Sequence, residues 1–157
     1  MVYHSLFYLH VQYCISAWGG AATSHLKTIV IMQKRIVRYV CRVPALTSTN
    51  SLFVKTGILK LNEIFNLQVC KLMLNTLRGF EVDHSCFTPI SMVHSHNTRH
   101  SKNNNFVVER PRTKLGLNSF RYLGPKLWSS VPENLKSLKI DKFKYSYKKF
   151  LMSQYTD

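Results

Sequence analysis

Two carboxylates held a few ångströms apart, gripping divalent metal, would be the first requirement for phosphoryl transfer on a polynucleotide. The chain has seven Asp and Glu, and they are scattered. The closest pair is Glu81 and Asp83, two positions apart in a polar stretch, where a solvated loop is the expected reading. No Gly-rich phosphate loop ending in Gly-Lys-Ser/Thr is present, and no Gly-x-Ser-x-Gly nucleophile elbow. His84, Cys86, His94, His96 and His100 crowd the middle of the chain and offer zinc-ligand chemistry. They lack the two close doublets of a finger or knuckle, so exposed imidazoles near bound phosphate are expected there and neither metal nor cofactor is.

Cations are the more informative residues. Lys27, Lys34, Arg35, Arg38 and Arg42 fall, at 100° per residue, on one side of a helix whose other half carries Leu26, Ile29, Val30, Ile36, Val37 and Val40. No acid lies within that span, so intrahelical ion pairs do not account for the band. Arg99, Lys102, Arg110, Arg112 and Lys114 form a second group in an expected loop, with Arg121 just beyond. Such residues neutralise phosphates and position a polyanion without reading its sequence. Tyr122 and Trp128 could stack on unpaired bases or anchor a core, and the sequence leaves both open.

Composition agrees with a polyanion partner. The formal net charge is +15 on 157 residues, with 22 Lys and Arg. A field of that sign draws nucleic acid, or failing that an anionic membrane surface. Residues 1–79 carry nine Lys and Arg against Glu63, residues 80–96 carry only Glu81 and Asp83, and residues 97–157 carry thirteen Lys and Arg against four acids. With 45% hydrophobic and 12% aromatic residues the chain has material for a core. The four Cys are evenly spread without paired spacing, which predicts a reducing, intracellular setting, cytoplasmic or nuclear. The apolar start lacks a basic flank and is broken by His4, His10 and Gln12; no run reaches the ~20 residues of a membrane span, so neither signal peptide nor membrane partner is expected.

The elements that must position these residues read as mainly helical. A first helix over residues 3–17 places Leu6, Phe7, Val11, Cys14 and Ala17 on one face and stops at Gly19-Gly20. The basic helix is expected from a cap at Ser24 to about Cys41, with Pro44 and the run Thr47–Ser51 ending it. A third helix over residues 60–78 is apolar nearly all round, hence central, and Gly79 stops it. Residues 106–108 suggest a short strand closed by Pro111; Ser119–Trp128 and Pro132–Leu138 suggest short helices with turns at Gly124-Pro125 and Val131-Pro132. A last helix over about Asp141–Met152 puts Phe143, Tyr147, Phe150 and Leu151 together among lysines. The expected organisation is a helical bundle over 1–79, a linker over 80–105 and a basic, mostly helical module over 106–157.

The order of motifs resembles one family. Tyr13-Cys14-Ile15-Ser16-Ala17-Trp18-Gly19 resembles the Y-C-I-x-x-W-G segment that follows the palm in reverse transcriptases of non-LTR retrotransposons. Gln33-Lys34-Arg35-Ile36-Val37-Arg38 is similar to the L-Q-K-R-I-x-R helix that comes next there, with Met32 at the Leu position. Ile58-Leu59-Lys60-Leu61 with Ile64 and Gln68, then His96-Asn97-Thr98-Arg99, match further elements. Arg112-Thr113, Gly116, Ser119 to Tyr122, Gly124-Pro125-Lys126-Leu127-Trp128 and the tail Phe143-Lys144 with Lys148 to Leu151 resemble the family's ending. Ser129-Ser130-Val131-Pro132 stands where the family has Asn-x-Leu-Pro, and Gly20 where Asn is frequent. The likeness covers nearly the whole chain, in order, and points to jockey-like and CR1-like elements.

That resemblance implies the thumb and post-thumb region of an RNA-directed DNA polymerase, a part without catalytic residues that grips RNA or DNA backbone. The palm with its catalytic aspartates, and the endonuclease, lie upstream in the family. Met1 is then expected to be an internal methionine of a longer or decayed reading frame, and the absent palm a second partner. The nucleic-acid contacts expected are Lys27, Lys34, Arg35, Arg38 and Arg42, joined by Arg99, Arg110, Arg112, Lys114 and Arg121. The alternatives are a structural piece that docks on a palm, or a small His/Cys metal module.

Overall fold

A computed structural model of the chain describes residues 3–79, 87–93 and 105–155. Among the described residues the protein is mainly helical and contains no strand. It divides into two compact units: Met1–Phe65 with Lys148–Asp157, and Asn66–Tyr147.

The first unit opens with a π turn, His4–Tyr8, followed by α1, Leu9–Gln12, and α2, Ile15–Trp18. The expected single helix over 3–17 is thus interrupted. Cys14 adopts a left-handed φ of 48° between α1 and α2. The buried stripe is Tyr3, Phe7, Val11 and Ile15, whereas Leu6, Cys14 and Ala17 face solvent. A stripe at every fourth residue drifts around a helix of 3.6 residues per turn; the wider π winding counters that drift and keeps Tyr3, Phe7 and Val11 inward. At the break the indole Nε1 of Trp18 donates to the Tyr13 carbonyl at 2.9 Å, replacing the helical partner. Gly19 closes the corner, because a Cβ there would lie 2.5 Å from Phe65 and 2.6 Å from the Ile15 carbonyl oxygen.

Helix α3, Thr23–Cys41, begins after Ala22 with no side-chain cap, so Ser24 lies inside the helix rather than before it. It ends where Arg42 takes a left-handed φ of 53° and the Val43 N–H bonds the Arg38 carbonyl at 3.1 Å. Helix α4, Asn50–Thr56, occupies part of a run expected to be a break, and buries Leu52 and Phe53. Gly57, at φ 65°, terminates it. Helix α5, Leu61–Leu77, is buried along most of its apolar positions, as its composition predicts. Its residues Leu61–Phe65 fall in the first unit and Asn66–Leu77 in the second.

In the second unit, α6, Ile90–Val93, follows an isolated antiparallel bridge between Pro89 and Phe106. The strand expected at 106–108 is reduced to this bridge, since Pro89 has no N–H to extend a ladder and helix begins at Ile90. Then come α7, Lys114–Leu117, capped by Thr113 Oγ1 accepting from Gly116; α8, Phe120–Ser129; α9, Glu133–Lys136; and α10, Ile140–Ser153. The turn expected at Gly124-Pro125 is instead the middle of α8. A Cβ on Gly124 would lie 2.8 Å from Met73 Sδ, so the glycine serves close packing rather than chain reversal. Trp128, Phe143 and Tyr147 are buried, with Phe143 and Tyr147 stacked at 5.3 Å between ring centroids.

Candidate nucleic-acid interface

The inward face of α3 is Leu26, Gln33 and Val37. Gln33 is 1% exposed, yet it is amphiphilic in the useful sense. Its Nε2 donates to Tyr3 Oη at 2.8 Å and to the Leu59 carbonyl at 2.9 Å, and its Oε1 accepts from the Leu61 N–H at 3.0 Å. One amide thereby ties α3 to the N-terminal π turn and to the head of α5. This locks the rotation of α3 about its axis, and that rotation decides which residues face outward.

Outward lie Lys27, Lys34, Arg35 and Arg42, all exposed, with Arg38 partly covered. Among the described residues none of these five forms an ion pair. Arg38 Nε donates to the Thr47 carbonyl at 2.8 Å, which fixes its guanidinium beside the loop after α3. A groove of about 410 Å³ follows, lined by Arg35, Arg38, Tyr39, Val43 and Ala45. The structure therefore keeps Lys27, Lys34, Arg35 and Arg38 on one side of α3 and sets Arg42 in the left-handed turn that ends it.

The second expected group is less concentrated. Arg110, Arg112, Lys114 and Arg121 are exposed in the second unit, while Arg99 lies outside the described residues. Arg121 meets Glu109 at 3.3 Å, an exposed pair worth at most about 1 kcal/mol but one that places a carboxylate beside the cations. Trp128 is 0% exposed and is a core anchor, not a stacking platform. Tyr122 is half-buried with Lys126 Nζ 5.6 Å from its ring centroid.

Other reactive side chains are placed for structure. Cys70 Sγ lies 3.6 Å from Tyr147 Oη in the second unit's core. Burial pushes the Cys70 thiol up to about 12 and raises the Tyr147 hydroxyl as well, so neither is ionised near neutrality. Lys136 Nζ donates to Asn105 Oδ1 at 2.8 Å and sits 5.4 Å from the Trp128 ring centroid; burial lowers its pKa, and Glu133 opposes that. Among the described residues no group of three His, Cys, Asp or Glu is placed to hold a metal ion. His84, Cys86, His94, His96 and His100, along with Glu81 and Asp83, lie outside the described residues. No described helix is long and apolar enough to cross a membrane.

Tyr39 was not singled out by charge or motif. Its signal was available: at 100° per residue it stands roughly 40° from Arg35, an aromatic ring on the polar side of a two-faced helix. Comparison of the chain with protein-family models, with curated proteins and with solved structures finds no match.

Proposed function

We propose that this chain is a nucleic-acid-gripping, thumb-like portion of a reverse transcriptase similar to those of jockey-like and CR1-like retrotransposons, and that it catalyses nothing by itself. The observation that carries the reading is the solvent side of α3, where Lys27, Lys34, Arg35 and Arg38 stand together, locked in rotation by Gln33 and unopposed by any acid on that helix, with Arg42 in the turn just past its end. Four cations along one helix and a fifth at its end suit contact with successive phosphates of a duplex or hybrid backbone, which supplies affinity without sequence discrimination. The ordered motifs of the sequence add the family, and with it the expectation of a palm that supplies the chemistry.

The test is a band-shift titration of the whole chain on duplex and hybrid across a salt series. Binding at low salt is expected, with affinity falling steeply as salt rises. Replacing Lys34, Arg35 and Arg38 by Ala should weaken binding evenly across sequences and reduce the logarithmic salt slope by roughly three, one per lost phosphate contact. A flat salt response, or no binding at low salt, would overturn the reading.

A second reading, docking on a palm, draws on Leu6, Leu9 and Tyr13, which follow one another at helical spacing and are all exposed. On that reading the isolated chain is marginally folded, and a cooperative thermal melt counts against it.

A further inference from the structure

We infer that the groove at the C-terminal end of α3 takes an unpaired base of a single strand, with Tyr39 as its stacking platform; this rests on the nucleic-acid reading above and specifies the form bound. Tyr39 is 81% exposed, on the same side of α3 as Arg35. An exposed aromatic ring sharing one groove with two guanidinium groups, Val43 and Ala45 is the combination that holds single strands: ring face for the base, cations for the neighbouring phosphates. The volume of about 410 Å³ lies in the lower part of the roughly 300–1,000 Å³ typical of small-molecule sites, room for a heterocycle and not for a duplex.

Two guanidinium groups line the groove, and their full charges outweigh the partial negative charge of the helix end, so the phosphates on either side of a stacked base are accommodated there. The Arg38 and Tyr39 carbonyls at that end are taken by the N–H groups of Val43 and Arg42, each at 3.1 Å, which offsets part of the helix-end field. A ring face is indifferent to it. Lys34 and Lys27, exposed further back along the helix, extend the same cationic side. The wall of the groove is also held in advance, because Arg38 Nε is fixed to the Thr47 carbonyl and the Thr47 N–H bonds the Pro44 carbonyl at 3.1 Å. Among the described residues of the second unit, the groove beside Tyr122 is about 130 Å³ and includes Glu109, and a groove of about 380 Å³ lined by Phe87, Pro89, Met92 and Phe106 carries no cation.

The experiment compares oligo(dT), oligo(U) and a blunt duplex of equal length on the full chain, with wild type, Tyr39→Ala and Tyr39→Phe. Tyr39→Ala should weaken single-strand binding roughly tenfold, leave the salt slope and duplex affinity unchanged, and be rescued by Tyr39→Phe. An oligonucleotide carrying 5-iodouracil should crosslink at Tyr39. Single-strand binding untouched by Tyr39→Ala, or an equal loss on duplex, overturns the inference while leaving the general reading intact. Failure of the wild type to bind any of the three at low salt defeats both.

Discussion

Gln33 shows how a polar residue can hold the geometry of a binding face without touching a ligand. Its amide meets Tyr3 Oη, the Leu59 carbonyl and the Leu61 N–H inside the first unit. Gln33→Leu keeps the size but leaves these three buried groups without their partner. Each unsatisfied group costs about 1–3 kcal/mol, partly relieved by relaxation, so a loss of about 3 kcal/mol is expected in urea denaturation. Tyr3→Phe removes one partner and should cost about 1 kcal/mol. A loss for Gln33→Leu no larger than that of Tyr3→Phe would show the amide to be incidental. Residue type made the cations legible in the sequence, since charge and helical period together place Lys27, Lys34 and Arg35 outward. It hid Gln33, because hydropathy assigns a Gln to the wet side although its period matches Leu26 and Val37. For Trp128 a ring has two uses of similar appearance, and only burial distinguishes them.

Among elements, the long helices were legible and the short ones were not. α3 and α10 each sustain an apolar period over several turns, and α5 is apolar nearly all round, so tertiary packing and local preference agree. α4 is written in Asn, Ser and Thr around Leu52 and Phe53, and burial of those two outweighs a weak local preference. Gly124-Pro125 misled for the opposite reason: a turn dipeptide was recruited for close approach to Met73 inside α8. At the head of α5 the Glu63 carboxylate accepts from the Lys60 N–H at 3.1 Å, half of a capping box. Burial pushes the Glu63 carboxyl from 4.5 up to about 7, against the lowering pull of the Lys60 N–H and charge. A folded pKa above the unfolded one means that protonated Glu63 favours folding. That contribution is complete below about 4.5 and disappears as pH rises through about 7. Glu63→Gln retains an acceptor and removes the titration. Its stability relative to wild type should therefore climb between those values and level off above, by about 1 kcal/mol once solvent screening of a half-exposed group is allowed for. Parallel pH profiles in chemical denaturation would refute this.

At the scale of the whole molecule, composition follows the chain whereas compaction follows contacts. The linker expected over residues 80–105 suggests a division there, yet Lys148–Asp157 belongs with the first unit. There the Lys60 N–H bonds Tyr155 Oη at 3.0 Å, and Lys60 Nζ lies 4.2 Å from that ring's centroid. No local pattern announces a pairing between residues so far apart in sequence. Net charge, by contrast, needs no fold to be read, and it has a consequence for both stability and binding. At +15 the compact state repels itself. The Debye length shortens from about 30 Å at 0.01 M salt to about 10 Å at 0.1 M, a range that spans much of the separation between like charges on a chain of this size. Raising NaCl from about 0.01 to about 0.3 M should therefore raise the Tm, by a stabilisation on the order of 1 kcal/mol, while the same change weakens polynucleotide binding. Adding a short duplex at the low-salt end should restore the lost stability by mass action, and should do nothing at the high-salt end where binding has gone. Differential scanning fluorimetry over that grid reads all three trends at once. A Tm that falls with NaCl would mean that favourable ion pairs, such as Arg121 with Glu109, outweigh the repulsion of the excess cations.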